Sequence, residues 1–253
     1  MSEARTVTAA LVVIGNEILS GRTKDANLPY LAERLNALGV QLREARVVPD
    51  VEAEIVDAVN ACRARHDYVF TTGGIGPTHD DITAMSVAKA FGVALELNAE
   101  AVRRLKAHYD GRVELNEARL RMAHIPAGAT LIDNPVSAAP GFQIANVLVM
   151  AGVPSIMQAM FEGVSHRLVG GRPLLSRTVS CGLAEGTLAA GLGDLQGRYP
   201  DLDIGSYPHF RAGQFGVAIV LRGPDADYLD EAVAELTALM RGLGGTPVVE
   251  SPA

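Results

Sequence analysis

Tryptophan is absent from this chain, and six tyrosines and six phenylalanines are all the large aromatic rings it has. So thin a supply offers no stacking platform for single-stranded nucleic acid. Positive charge is also in deficit: 22 Lys and Arg stand against 29 Asp and Glu, a formal charge of -7 with a pI near 5.4. No basic footprint advertises nucleic acid or an anionic membrane surface, so any phosphate site has to be local. Two cysteines occur, Cys62 in a helical pattern and Cys181 in a strand-like one, with no second Cys or His at metal spacing. Buried free thiols are expected from them. No apolar run approaches a membrane span, and the opening Met-Ser-Glu-Ala-Arg lacks the apolar core of a signal peptide. The expectation is a cytoplasmic protein whose partners include neither membrane nor nucleic acid.

What the chain has in quantity is apolar residues, 48% of the total, arranged as alternating strands and helices. Val7 to Ile14 is a continuous apolar run with β-branched residues, as in a strand buried on both faces of a parallel sheet. It ends in a loop between two glycines, Gly15-Asn16-Glu17-Ile18-Leu19-Ser20-Gly21, where open α/β sheets place ligand contacts. Gly15 and Glu17 are candidates for such contacts, and a plain connecting loop is the alternative. Leu28, Leu31, Leu35 and Leu38 recur at helical spacing up to Gly39. Val40 to Val48 is the next strand, followed by Pro49-Asp50 and a helix over 51–65. Asp50 reads as a helix N-cap or as a metal ligand.

The stretch with most chemistry is 71–83, Thr-Thr-Gly-Gly-Ile-Gly-Pro-Thr-His-Asp-Asp-Ile-Thr, between the apolar run 67–71 and a helical pattern through Phe91. Glycines permit backbone angles closed to other residues and let N–H groups approach a ligand, for which phosphate is the obvious guest. Two adjacent carboxylates beside a phosphate call for a divalent cation between them. The bland alternative is a tight strand-to-helix turn with Asp80 or Asp81 as N-cap. Gly-Gly-x-Gly is neither a Rossmann fingerprint nor a Walker A loop. If strands two and three are neighbours, Asp50 and Asp81 lie at one sheet edge and share one cation.

Further on, Arg119 and Arg121 sit in a helical stretch, 114–124, that reads as a solvated charged face. Asn134-Pro135-Val136-Ser137-Ala138-Ala139-Pro140-Gly141-Phe142 is a rigid loop of small residues suited to lining a pocket, and 143–150 reads as another buried strand. Met157 and Met160 read as core packing. Composition shifts at Gly170-Gly171-Arg172-Pro173. The expected organisation is a domain over 1–172, a small α+β module of order β-α-β-β-α over 173–245, and a flexible tail over 246–253.

Four motifs in order, 15–21, 49–50, 71–83 and 134–142, resemble the MoaB/Mog molybdopterin-binding family, most closely its CinA-like members, and 173–245 resembles the KH-type module that follows the domain there. The resemblance implies a three-layer, mainly parallel α/β sheet with helices on both faces, and a homo-oligomer. Carried over, Thr72, Gly73, Gly74, Gly76, Pro77 and Thr78 match the phosphate and pterin loop, Asp81 the family's essential aspartate, and Asp50 its second acidic position. These two would be catalytic and hold Mg²⁺ or another divalent cation. Gly15, Glu17, Asn134, Pro135, Ser137 and Gly141 complete the implied ligand contacts, with molybdopterin as a further implied ligand. Ile75 departs from the Thr or Ser usual in molybdopterin adenylyltransferases and matches the aliphatic residue of CinA-like members. No amidohydrolase domain of the CinA type is present in the sequence, so deamidation of nicotinamide mononucleotide is not expected. The implied function is metal-dependent hydrolysis of a pyrophosphate such as ADP-ribose or FAD. Adenylyl transfer in molybdenum cofactor synthesis, or pterin or nucleotide binding without chemistry, are the alternatives. The KH-type module is not expected to bind RNA, because it lacks a positively charged Gly-x-x-Gly loop and its acidic residues outnumber its basic ones.

Overall fold

A computed structural model describes residues 5–211 and 214–250. The chain divides into two compact units, 1–172 and 173–253. The first is built on a six-stranded sheet of β1 (Val7–Ile14), β2 (Val40–Val48), β3 (Tyr68–Thr72), β6 (Thr130–Ile132), β7 (Gly141–Ile144) and β8 (Val147–Met150), in the order β2-β1-β3-β8-β7-β6. β1 pairs parallel with β2 and with β3, and β3 pairs parallel with β8. The β8–β7 and β7–β6 pairs are antiparallel. β1 runs between β2 and β3, so those two strands are not neighbours, contrary to the condition set for a cation shared by Asp50 and Asp81.

The alternation of β1 side chains explains both layers. Ala10, Val12 and Ile14 meet Ile55, Val59 and Cys62 of α3 (Glu52–Arg65), Val87 of α4 (Thr83–Phe91), and Leu105 of α5 (Ala99–Tyr109). Ala9, Leu11 and Val13 point the other way, onto Leu31 and Leu35 of α2 (Asn27–Ala37) and Met157, Met160 and Phe161 of α7 (Pro154–Val164). A strand covered on both faces has no polar side to show, hence its unbroken apolar run. Both cysteines are buried and free.

Several expectations are corrected. The Gly15–Gly21 loop contains a helical turn, α1 (Asn16–Leu19). The stretch 114–124 is one helical turn, α6 (Glu117–Leu120), and a 3-10 turn, Arg121–Ala123, before β5 (His124–Pro126). β5 pairs with β4 (Leu95–Leu97) in a separate two-stranded sheet. Residues 143–150 are not one strand: Ala145 and Asn146 turn the chain, and the Asn146 side chain donates to the Arg63 and His66 carbonyls at 3.1 and 2.9 Å.

The second unit has β9 (Leu175–Cys181), α8 (Glu185–Arg198), β10 (Asp203–Arg211), β11 (Gln214–Gly223), α9 (Ala226–Gly242) and β12 (Val248–Val249). Its antiparallel sheet has the order β10-β11-β9-β12. The tail expected to fray does not do so at 248–250: Val248 and Val249 pair with β9, and Glu250 N–H donates to the Thr178 carbonyl at 2.9 Å. Residues 251–253 lie outside the described residues.

Candidate functional site

The carboxyl ends of β1, β3 and β8 meet where backbone packs on backbone. Gly73, at φ 105°, leaves no room for a Cβ, which would overlap the Ile14 carbonyl oxygen. A Cβ on Gly152 would lie 3.1 Å from the Gly73 Cα. Asn27, the first residue of α2, donates its side-chain amide to the Gly152 carbonyl at 2.8 Å and so ties that helix to the junction. Nothing in the Asn27 spacing marked it for this role.

Gly73 donates its N–H to the Met150 carbonyl at 3.2 Å, which removes it from the group of ligand donors. The next three N–H groups, of Gly74, Ile75 and Gly76, reach no protein acceptor among the described residues. Successive unspent backbone N–H groups are the composition of an anion nest. Gly74 carries φ 65°, and Thr83 closes the loop by donating its N–H to the Gly74 carbonyl and its hydroxyl to that of Gly73, both at 3.0 Å.

Neither aspartate caps its helix. The N-cap of α4 is Ile82 and that of α3 is Val51, both without a side-chain bond. Asp81 turns Oδ2 back onto the loop, where Thr78 donates its N–H at 2.8 Å and its hydroxyl. Asp50 reaches across to the first loop, accepting the Asn16 N–H on Oδ2 at 2.9 Å. Oδ1 of each aspartate has no hydrogen-bond partner among the described residues. Glu17 folds its carboxylate over Gly15, 2.6 Å from where a Cβ would stand. A side chain at position 15 would displace that carboxylate.

The glycine loop opens into a cleft of about 20 Å³, lined by Gly74, Gly76 and Asp81 on one side and Arg121, His124 and Pro140 on the other. That volume holds one water-sized group, so a phosphate must displace side chains at the rim. Arg121 is exposed. Arg121 and His124 were missed because the run reads as a solvated helical face; the 3-10 turn and β5 bring both to the loop.

The 134–142 loop reaches the cleft through Pro140 and Phe142, while Asn134, Ser137 and Gly141 serve the loop and sheet themselves. Asn134 is buried and spends its side chain inside the loop, donating to Ser137 Oγ and the Ala139 carbonyl and accepting the N–H groups of Val136 and Ser137. Gly141 is glycine because a Cβ there would overlap the Val149 carbonyl oxygen of the neighbouring strand. Pro135, Pro77 and Thr78 are exposed, and Thr72 is buried in β3 with its hydroxyl unpartnered.

A mainly parallel sheet with a glycine loop at the carboxyl ends of its strands has the layout in which open α/β domains place their ligand contacts. The chain belongs to the family described as a probable molybdopterin binding domain, whose model matches residues 10–170. Residues 173–243 match the model of the FAD synthase middle domain. A crystal structure of the protein CinA from Thermoplasma acidophilum, of unknown function, is 34% identical with a TM-score of 0.61, covering 64% of this chain and 99% of that one. A protein of Pyrobaculum calidifontis is 41% identical over 170 residues, 65% of each chain. A probable FAD synthase of Caenorhabditis elegans is 31% identical over 260 residues, covering 93% of this chain and 50% of that one. The match thus spans less than two thirds of the Pyrobaculum relative and half of the nematode one.

Proposed function

We propose that this protein hydrolyses the pyrophosphate linkage of an adenylated small molecule of the ADP-ribose or FAD type, with Mg²⁺ or another divalent cation as cofactor. The observation that carries the reading is the run of three unspent N–H groups, Gly74 to Gly76, with Asp81 beside it. N–H donors alone serve binding. A carboxylate next to an anion nest opposes binding unless a cation joins them, and it is then suited to chemistry. The name of the nematode relative favours an adenylated ligand.

The residues present fit such a cation. Asp81 and Asp50 each keep Oδ1 free of hydrogen bonds among the described residues. That suits magnesium, which takes one or two carboxylates and completes its shell with substrate phosphates and water. Asp81, beside the nest, would hold it, with Asp50 as a proposed second ligand from the far side of β1, and bound there it would offset the negative charge growing on the leaving phosphate. The glycine loop orients one phosphate. Thr78 holds the Asp81 side chain in place through two hydrogen bonds, so its free oxygen needs little reorganisation.

A second reading has its own support, since bracing Thr78 is by itself reason enough for Asp81. The protein would then bind a pterin or nucleotide without turnover. A hydrolysis screen over ADP-ribose, FAD, NAD and adenylated pterin, with and without Mg²⁺, decides between them. Metal-dependent release of AMP from at least one compound is expected; binding without turnover of any would establish the second reading.

A further inference from the structure

The nest accounts for one phosphate, whereas a pyrophosphate linkage brings two. Among the described residues that line the cleft, Arg121 is the one permanent cation. Its guanidinium makes no ion pair or hydrogen bond among the described residues. Many of its fellow arginines in this unit are committed. Arg34 pairs with Glu162, Arg46 and Arg65 with Glu44, and Arg103 and Arg104 with Glu100. Arg119, two residues earlier, lies over the Tyr109 ring and donates to the Glu114 carbonyl. In a chain with an excess of acid, the arginine facing the glycine loop is left without an acid.

Its backbone is well anchored. Arg121 opens the 3-10 turn that leads into β5, whose Ile125 is buried in the core with Val87 of α4. The Arg121 carbonyl lies 3.3 Å from His124 Nδ1, and Ala123, between them, is fully buried. A fixed stem with a free fork suits a group that closes on an anion entering from outside, and guanidinium presents parallel N–H donors that match two phosphate oxygens.

We propose that Arg121 is the specificity-determining residue of this cleft: it grips the second phosphate of a nucleoside diphosphate group whose first phosphate lies on Gly74–Gly76. Asp81 disfavours every added negative charge, so without Arg121 the cleft would prefer a monophosphate. The inference rests on the phosphate-binding reading above, but not on hydrolysis.

The test is equilibrium binding of ADP-ribose, ADP and AMP by titration calorimetry in EDTA, where neither metal nor turnover contributes, and of ADP and AMP again with Mg²⁺, which offsets the Asp81 charge. Arg121→Ala is expected to weaken ADP and ADP-ribose by about ten- to a hundredfold, the scale of a lost hydrogen bond to a charged group, and AMP by less than about threefold. Arg121→Lys should recover part of the diphosphate affinity, because it keeps the charge and loses the fork. Arg119→Ala should leave all three affinities near wild type, as the control for general charge. Unchanged diphosphate binding in Arg121→Ala, or an equal loss for AMP, overturns this inference alone. Wild-type protein that binds none of the three in EDTA, and neither ADP nor AMP with Mg²⁺ restored, overturns the phosphate reading, and this inference with it.

Discussion

An aspartate that braces its own loop through Thr78 still has one oxygen to spare, and for Asp81 the two roles separate in the Asn variant. Asparagine keeps an acceptor for the Thr78 N–H and loses the charge. Turnover by Asp81→Asn is expected to fall at least about a hundredfold, the scale of one lost transition-state stabiliser, while binding of ADP-ribose changes much less. Asp80→Asn should be milder, because that exposed side chain does not line the cleft. Kinetics of the two variants on the substrate found in the screen checks this, and near-native turnover by Asp81→Asn would remove Asp81 from the mechanism. Ala145 presents a simpler case. It is exposed at the turn between β7 and β8 with φ 48°, a left-handed conformation that costs an L side chain about 1 kcal/mol or more. Ala145→Gly should stabilise the protein by about 0.5 kcal/mol, after allowance for the looser unfolded chain, and raise the melting temperature by roughly 1–2 °C. An unchanged or lower melting temperature would contradict this.

At the scale of elements, α5 shows how charge placement becomes pH dependence. Asn98 caps it by accepting the Ala101 N–H, and Glu100 in its first turn accepts from Arg103 and Arg104. Those two guanidinium groups hold the Glu100 carboxyl down from 4.5 to about 2. Because the folded value is the lower one, the stabilisation is fully present above 4.5 and is lost as pH falls towards 2. Glu100→Gln should therefore have a lower urea midpoint than wild type at pH 7, with the two converging as the pH drops below 4.5. A gap that stays constant down to pH 2.5 would sink the idea. The β7–β8 hairpin and the short α6 show the limit of reading elements from sequence. No Gly or Pro marks the turn at Ala145-Asn146, which is held from outside by the Arg63 and His66 carbonyls. The 114–124 pattern offers a helix, but β5 draws Ile125 into the core and stops it after one turn.

At the scale of the molecule, each unit carries its own core. In the second, Val179, Leu188, Val217, Ile219, Leu229 and Leu236 are all fully buried. Residues 173–250 are thus expected to fold alone and to unfold in one cooperative transition followed by circular dichroism; a non-cooperative melt would contradict it.

Apart from the turn α1 and the strand β12, the sequence by itself determined which segments are strands and helices in the first 90 residues and in the second unit, because buried parallel strands read as unbroken apolar runs and their crossover helices keep a 3.6-residue period. It also marked the glycine loop and the two aspartates, since positive φ and clustered carboxylates leave few other residue choices. Tertiary structure alone decided that β1 separates β2 from β3, because strand order depends on packing between distant segments. It alone decided that Gly73 spends its N–H on Met150, that Asn134 and Gly141 serve the scaffold, and that Arg121 meets the loop. Gly73 and Arg121 meet partners about 40 to 77 residues away and Gly141 meets the backbone of the neighbouring strand, while Asn134 bonds within five residues but is buried only by the fold; none of these leaves a local period to read.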